Sequence, residues 1–175
     1  MQIAKIEDQP QSVVVATDAS ALMSVISRAA SDPSTDVDKL ERLMSLYERI
    51  TAKTAEQSYA QAFALMQPEL PIVAERGSIK NRDGKVQSTY ALWEDINEAV
   101  KPVLARHGFS ISFRTVTEAG KISVTAVLRH AGGHSDTTTM ELLPDGSGSK
   151  NAVQAVASSV SYGKRYTAGA LLNRT

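Results

Sequence analysis

The segment Gly146-Ser147-Gly148-Ser149-Lys150-Asn151 has the glycine, hydroxyl and lysine content of a phosphate-binding loop. A nucleotide-hydrolysing loop of the Gly-x4-Gly-Lys-Ser/Thr kind needs its lysine directly after the second glycine. It also needs a hydroxyl after the lysine to reach magnesium. Here Ser149 intervenes and Asn151 stands in the hydroxyl's place, so NTP hydrolysis is not expected. What remains is a Gly/Ser loop entering a helix, whose free N–H groups and dipole attract anions beside the charge of Lys150. Two readings stay open: a contact to a nucleic-acid phosphate, or a solvated loop with a helix cap from Ser147 or Ser149.

Further on, Ser161-Tyr162-Gly163-Lys164-Arg165-Tyr166 sets two adjacent bases between two tyrosines, around a glycine that permits close backbone approach. Cations neutralise phosphates and aromatic rings stack on unpaired bases, which together make a sequence-tolerant single-strand binder. Projected at about 100° per residue, Val153, Val156, Val160, Gly163, Tyr166, Thr167, Ala170 and Leu171 share an apolar side. Lys150, Gln154, Ala157, Ser158, Ser161, Lys164 and Arg165 share the other. Tyr166 is therefore expected in the core, and Tyr162 at the boundary. The candidate nucleic-acid contacts are Lys150, Asn151, Gln154, Ser161, Tyr162, Lys164 and Arg165. Lys80, Arg82 and Lys85 around a turn are candidates for the other wall of a groove.

Other constellations point away from catalysis. His130 and His134 flank Ala131-Gly132-Gly133, which reads as a turn, and no third metal ligand is obvious beyond Asp136. Glu94, Asp95 and Glu98 fall in the first turns of a helix, where acids complement the dipole. The chain has no cysteine, which excludes disulfides and thiolate chemistry, and no serine stands in a strand–turn–helix elbow. Neither a catalytic residue nor a cofactor nor a metal is expected.

The 175 residues suit one core-forming domain, and 19 basic side chains balance 19 acidic ones. The distribution is uneven: residues 1–74 hold 6 Lys/Arg against 10 Asp/Glu, and residues 75–175 hold 13 against 9. From Gly146 onward there are bases and no acid, a modest sign of a polyanionic partner. No apolar run approaches the roughly 18 residues of a membrane span, and Val13–Ala16 is too short for a signal peptide. A soluble protein of the cytoplasm, with no membrane partner, is expected.

The elements that position these residues follow from periodicity. Residues 1–37 read as a weakly ordered arm with one short helix, Ser20–Ala30, and residues 38–175 as the core domain. Asp38, as cap with Glu41 in capping-box position, starts a long helix through Leu40, Leu43, Met44, Tyr47 and Ile50 to about Met66. Pro68 and Pro71 end it. Asn81-Arg82-Asp83-Gly84 makes Gly77–Tyr90 a hairpin. Glu94–His107 reads as a helix in conflict with Pro102, stopped at Gly108. Alternating patterns around Phe109–Arg114 and Ile122–Arg129, then Thr-rich Ser135–Leu143, give three strands on short turns. A final helix spans about Lys150 to Leu171. The fold class is α+β: an antiparallel β-meander with one face packed against helices.

These residues resemble the Erf (essential recombination function) family of phage single-strand annealing proteins. The closest stretch runs from Gly146 to Asn173, through Gly-Ser-Gly-Ser-Lys-Asn, Val153-Gln154-Ala155, Ser161–Tyr166 and Leu171-Leu172. Tyr90–Phe113, with its proline-containing helix and His107-Gly108, is similar too, as is Ala62–Pro71. The likeness covers about residues 38–173. It implies a meander with a packed helix like that of eukaryotic recombination annealing proteins, assembly into rings or filaments, and ATP-independent annealing of complementary DNA strands in homologous recombination. The implied partners are single-stranded DNA and further copies of the chain, with host single-strand-binding or recombination proteins as candidates. Family members commonly continue into a variable acidic tail, so an ending at Arg174-Thr175 is expected of a short or trimmed member. The alternative is an oligomeric phage scaffold or regulatory protein that does not anneal DNA.

Overall fold

The computed structural model describes residues 13–81 and 83–173. They fall into two compact units divided between Gln57 and Ser58. The first unit holds α1 (Val13–Ala30) and the opening turns of α2 (Val37–Met66). α1 is longer than the expected Ser20–Ala30 segment; the rest of the expected arm, residues 1–12, lies outside the described residues. The cap of α2 is Asp36, not Asp38: its carboxylate accepts from the Asp38 N–H at 2.9 Å, satisfying a donor that the helix leaves free. Ile26 is buried, whereas Met44, Leu46 and Ile50 of α2 are exposed.

The second unit contains the end of α2, β1 (Gly77–Lys80), β2 (Val86–Tyr90), α3 (Trp93–Arg106), β3 (Phe109–Glu118), β4 (Lys121–His130), β5 (Ser135–Leu142) and α4 (Ala152–Leu171). β1 and β2 form a separate antiparallel hairpin, and β3-β4-β5 is the expected antiparallel meander. Asn81 builds the hairpin turn by accepting from the N–H groups of Asp83 and Lys85, at 3.0 and 2.9 Å. Ala119 and Gly120 both take positive φ between β3 and β4, the handedness that a two-residue hairpin turn requires.

The core lies between one face of the meander and the helices. Val100, Val103 and Leu104 of α3, Ala126 and Leu128 of β4, and Leu171 and Leu172 pack around Met66 and Phe109. Pro102 does not stop α3. It is exposed, on a side of the helix where a carbonyl deprived of its N–H partner can turn to water. Gly108, at φ +72°, ends the run as expected. The turn that Asn81 opens, the Ala131-Gly132-Gly133 turn, the three strands and helices α2, α3 and α4 stand close to where periodicity puts them.

The face of α4 that meets the sheet matches the expected one at Gly163, Thr167 and Leu171 and departs from it elsewhere. Its buried line is Ala155, Ser159, Gly163 and Thr167, with Ala168 and Leu171 beside it. A β-carbon at Gly163 would stand 2.7 Å from Val124 Cγ2, so small residues at four-residue steps let the helix lie close on the strands. The two buried hydroxyls are satisfied. Ser159 donates to the Leu143 carbonyl at 2.8 Å and accepts from the Asp145 N–H at 2.9 Å. Thr167 donates to the Gly163 carbonyl at 2.7 Å. Val153, expected on the packed side, is exposed, and so is Tyr166.

Candidate nucleic-acid interface

The loop before α4 is organised by its own residues. Asp145 accepts from the Ser147 N–H at 3.1 Å, from the Ser147 hydroxyl at 2.6 Å and from the Ser158 hydroxyl at 2.8 Å. It also forms an ion pair with Lys150. Lys150 and the serine hydroxyls hold the Asp145 carboxyl well below its ordinary pKa. The acid-free stretch read from the sequence therefore has its first lysine matched by the acid just outside it. Neither Ser147 nor Ser149 supplies the helix cap. Asn151 does, accepting from the Gln154 N–H at 2.9 Å while the Gln154 side chain accepts from the Asn151 N–H at 3.0 Å. This capping box engages the carbonyl oxygens of both candidate contacts. Asn151 and Gln154 themselves are exposed.

Lys164 and Arg165 lie near the other end of α4, about 20 Å from Lys150 at 1.5 Å per residue. Both are half-buried. The Lys164 ammonium lies 5.7 Å from the centroid of Phe113, and Phe113 meets Trp93 edge-on. The Arg165 guanidinium stacks 4.1 Å from the Tyr90 ring centroid and donates to the Ala91 carbonyl at 3.3 Å. Tyr90 in turn lies against Gly77, where a β-carbon would overlap its ring. Arg165 thus ties α4 to the base of the hairpin by cation–π contact as well as offering charge.

Tyr162 and Tyr166 stack on each other, with centroids 4.2 Å apart and planes inclined by 27°. They are 41% and 50% exposed, so the correction to the sequence reading is that Tyr166 stands outside the core. Two tyrosines four residues apart on one helix are neighbours on its surface, a spacing that could have revealed the pair. Ser161 is exposed on the same turn. Lys80 and Lys85 are exposed near the tip of the hairpin. They lie about 13 Å along the strand from its Tyr90 end at roughly 3.3 Å per residue. Arg82 lies outside the described residues. The base of the hairpin, not its basic tip, is what meets α4.

The histidines of the β4–β5 turn belong to an aromatic cluster: Tyr59 lies 4.9 Å from His134 and 5.2 Å from Phe109 between centroids. Burial and the Asp136 carboxylate push the Tyr59 phenol up to about 12. Among the described residues no three imidazole or carboxylate groups converge as a metal site. No described helix is long and apolar enough to cross a membrane.

A family model for the ERF superfamily matches residues 59–173, from Tyr59 in α2 to the end of the described chain. The chain belongs to the ERF superfamily. No curated protein and no solved structure matches it. The matched part of this ERF chain contains the hairpin, the meander and α4, and with them every described candidate contact named from the sequence.

Proposed function

We propose that this ERF-superfamily chain binds single-stranded DNA and anneals complementary strands without ATP, as a homo-oligomer acting in phage homologous recombination. The observation that carries the reading is the exposed Tyr162–Tyr166 stack beside Lys164 and Arg165 on α4, inside the family match. Exposed rings give unpaired bases a surface to stack on, and adjacent cations neutralise the backbone without reading sequence. In this reading residues 38–175 form the annealing core, Lys150, Lys164 and Arg165 hold phosphates, and Lys80, Arg82 and Lys85 of the hairpin add a second set of phosphate contacts. β3 and β5 are the edges of the meander, and open edges need covering, which favours assembly of copies.

The test is annealing of complementary oligonucleotides by the full chain, followed by fluorescence with and without ATP. Strand pairing well above the spontaneous rate, unchanged by ATP, is expected. Light scattering should find a species several times the 18.8 kDa chain mass. Oligomers that neither bind nor anneal DNA would favour the scaffold reading, and ATP turnover abolished by Lys150→Ala would overturn the non-enzymatic one.

A further inference from the structure

Between α4 and the chain entering and leaving the hairpin lies a groove of about 730 Å³, within the size range of small-ligand sites. Its lining is mostly apolar, with Ile72, Ile96, Ala170 and Leu172 among it, and Tyr166 and Arg165 border it. One face of the Tyr166 ring is covered by Tyr162. Tyr162 does not border the groove, so of the stacked pair only Tyr166 adjoins it. Glu75 also lines the groove and accepts from the Thr89 hydroxyl.

We infer that this groove receives an unpaired nucleobase, stacked on Tyr166 as the third member of the Tyr162–Tyr166 column. The inference rests on the single-strand reading and adds to it where a base goes. Two features select the base over the backbone. A carboxylate in the lining repels phosphate, so the Glu75 side chain disfavours the sugar–phosphate chain. Apolar walls suit the flat faces of a heterocycle. Phosphates would stay outside, near Lys164, while the base turns inward.

Fluorescence anisotropy with two labelled oligonucleotides of equal length and charge tests this, one of ordinary sequence and one built of abasic sites. Base–aromatic stacking of roughly 1–3 kcal/mol per base converts to an affinity change of about 5- to 150-fold. Tyr166→Ala is therefore expected to weaken the ordinary strand by that factor and leave the abasic strand unchanged, while Tyr166→Phe keeps wild-type affinity. Ala170→Trp, which fills the groove from an exposed position, is expected to reproduce the selective loss. Equal losses on both strands, or no loss on either, would overturn the inference while leaving single-strand binding intact. A wild-type protein that binds neither oligonucleotide would instead remove the proposed function, and the inference with it. Displacement of the ordinary strand by an apolar peptide but not by free nucleosides would assign the groove to another occupant.

Discussion

Two helices of this chain share a clear helical period and put it to opposite uses. The opening turns of α2 carry Leu40, Leu43, Met44, Tyr47 and Ile50 at three- and four-residue steps, yet Met44 and Ile50 are exposed. α4 buries a line that includes Ser159, Gly163 and Thr167, and exposes Tyr162 and Tyr166. The difference shows that periodicity identifies a helix without identifying what lies against it. Large side chains hold elements apart and need a partner surface of matching shape. Small ones admit a neighbouring backbone, so a helix can be firmly packed through residues that score as polar or neutral.

The strongest test of that contrast is Gly163→Val. A side chain there collides with Val124 and Leu142, and overpacking of this kind costs about 3 kcal/mol. The expected loss in Tm is roughly 6–12 °C for a chain of this size. Ile50→Ser, on the exposed face of α2, should remain within about 0.5 kcal/mol of wild type. A thermal melt in which Ile50→Ser costs as much as Gly163→Val would mean that the α2 stripe is covered in solution, and would erase the contrast.

Binding should separate the same helices by a smaller margin. Lys164→Ala is expected to lower the slope of log affinity against log salt for single-stranded DNA by about 0.7, one phosphate contact. Replacing both Lys39 and Arg42 on the acid-rich opening of α2 should leave it unchanged. The loss should be the same for every DNA sequence, because phosphate contacts position a strand and do not read it. An unchanged slope in folded, oligomeric Lys164→Ala would move the phosphate contacts off this turn of α4 and towards Lys80, Arg82 and Lys85. Arg165→Ala is a less clean probe, because it also removes the Tyr90 contact and should lower Tm.

The smallest effect concerns the loop that leads into α4. Asp145 is held below the ordinary carboxylate pKa, so its stabilising contacts are complete above the unfolded value of about 3.9. They are lost as pH falls through the depressed folded value. NMR shifts of the Ser147 amide should follow that loss only in strongly acidic solution. At neutral pH, Asp145→Asn should release Lys150 from its ion pair and raise the salt slope by at most about 0.7. No change would mean that Lys150 does not reach DNA even when free.

Much of the fold was legible from local rules. Alternation gave the meander, Asn81 and Gly84 the hairpin turn, and Gly108 the end of α3, because each depends on neighbours in sequence. The packed face of α4 was legible only in part: Gly163, Thr167 and Leu171 lie on it as expected, whereas Ala155 and Ser159 were not expected there. Ser159 is buried because the Leu143 carbonyl and the Asp145 N–H come to meet it. Those partners are set by tertiary structure. The candidate site was legible in its residue types and less so in its arrangement: Lys150 has a partner in Asp145, Arg165 rests on Tyr90, and Tyr166 joins Tyr162 at the surface.

Trp93 is the only tryptophan of the chain. Its ring meets Phe113 with centroids 4.8 Å apart, and Phe113 is the ring over which the Lys164 ammonium lies. The indole is therefore one side chain removed from a cation proposed to hold phosphate. If Lys164 swings from Phe113 to a DNA strand, the charge next to that aromatic pair leaves with it. The emission of Trp93 then gives the unlabelled protein a built-in optical gauge of strand loading, readable in real time without a dye on either partner.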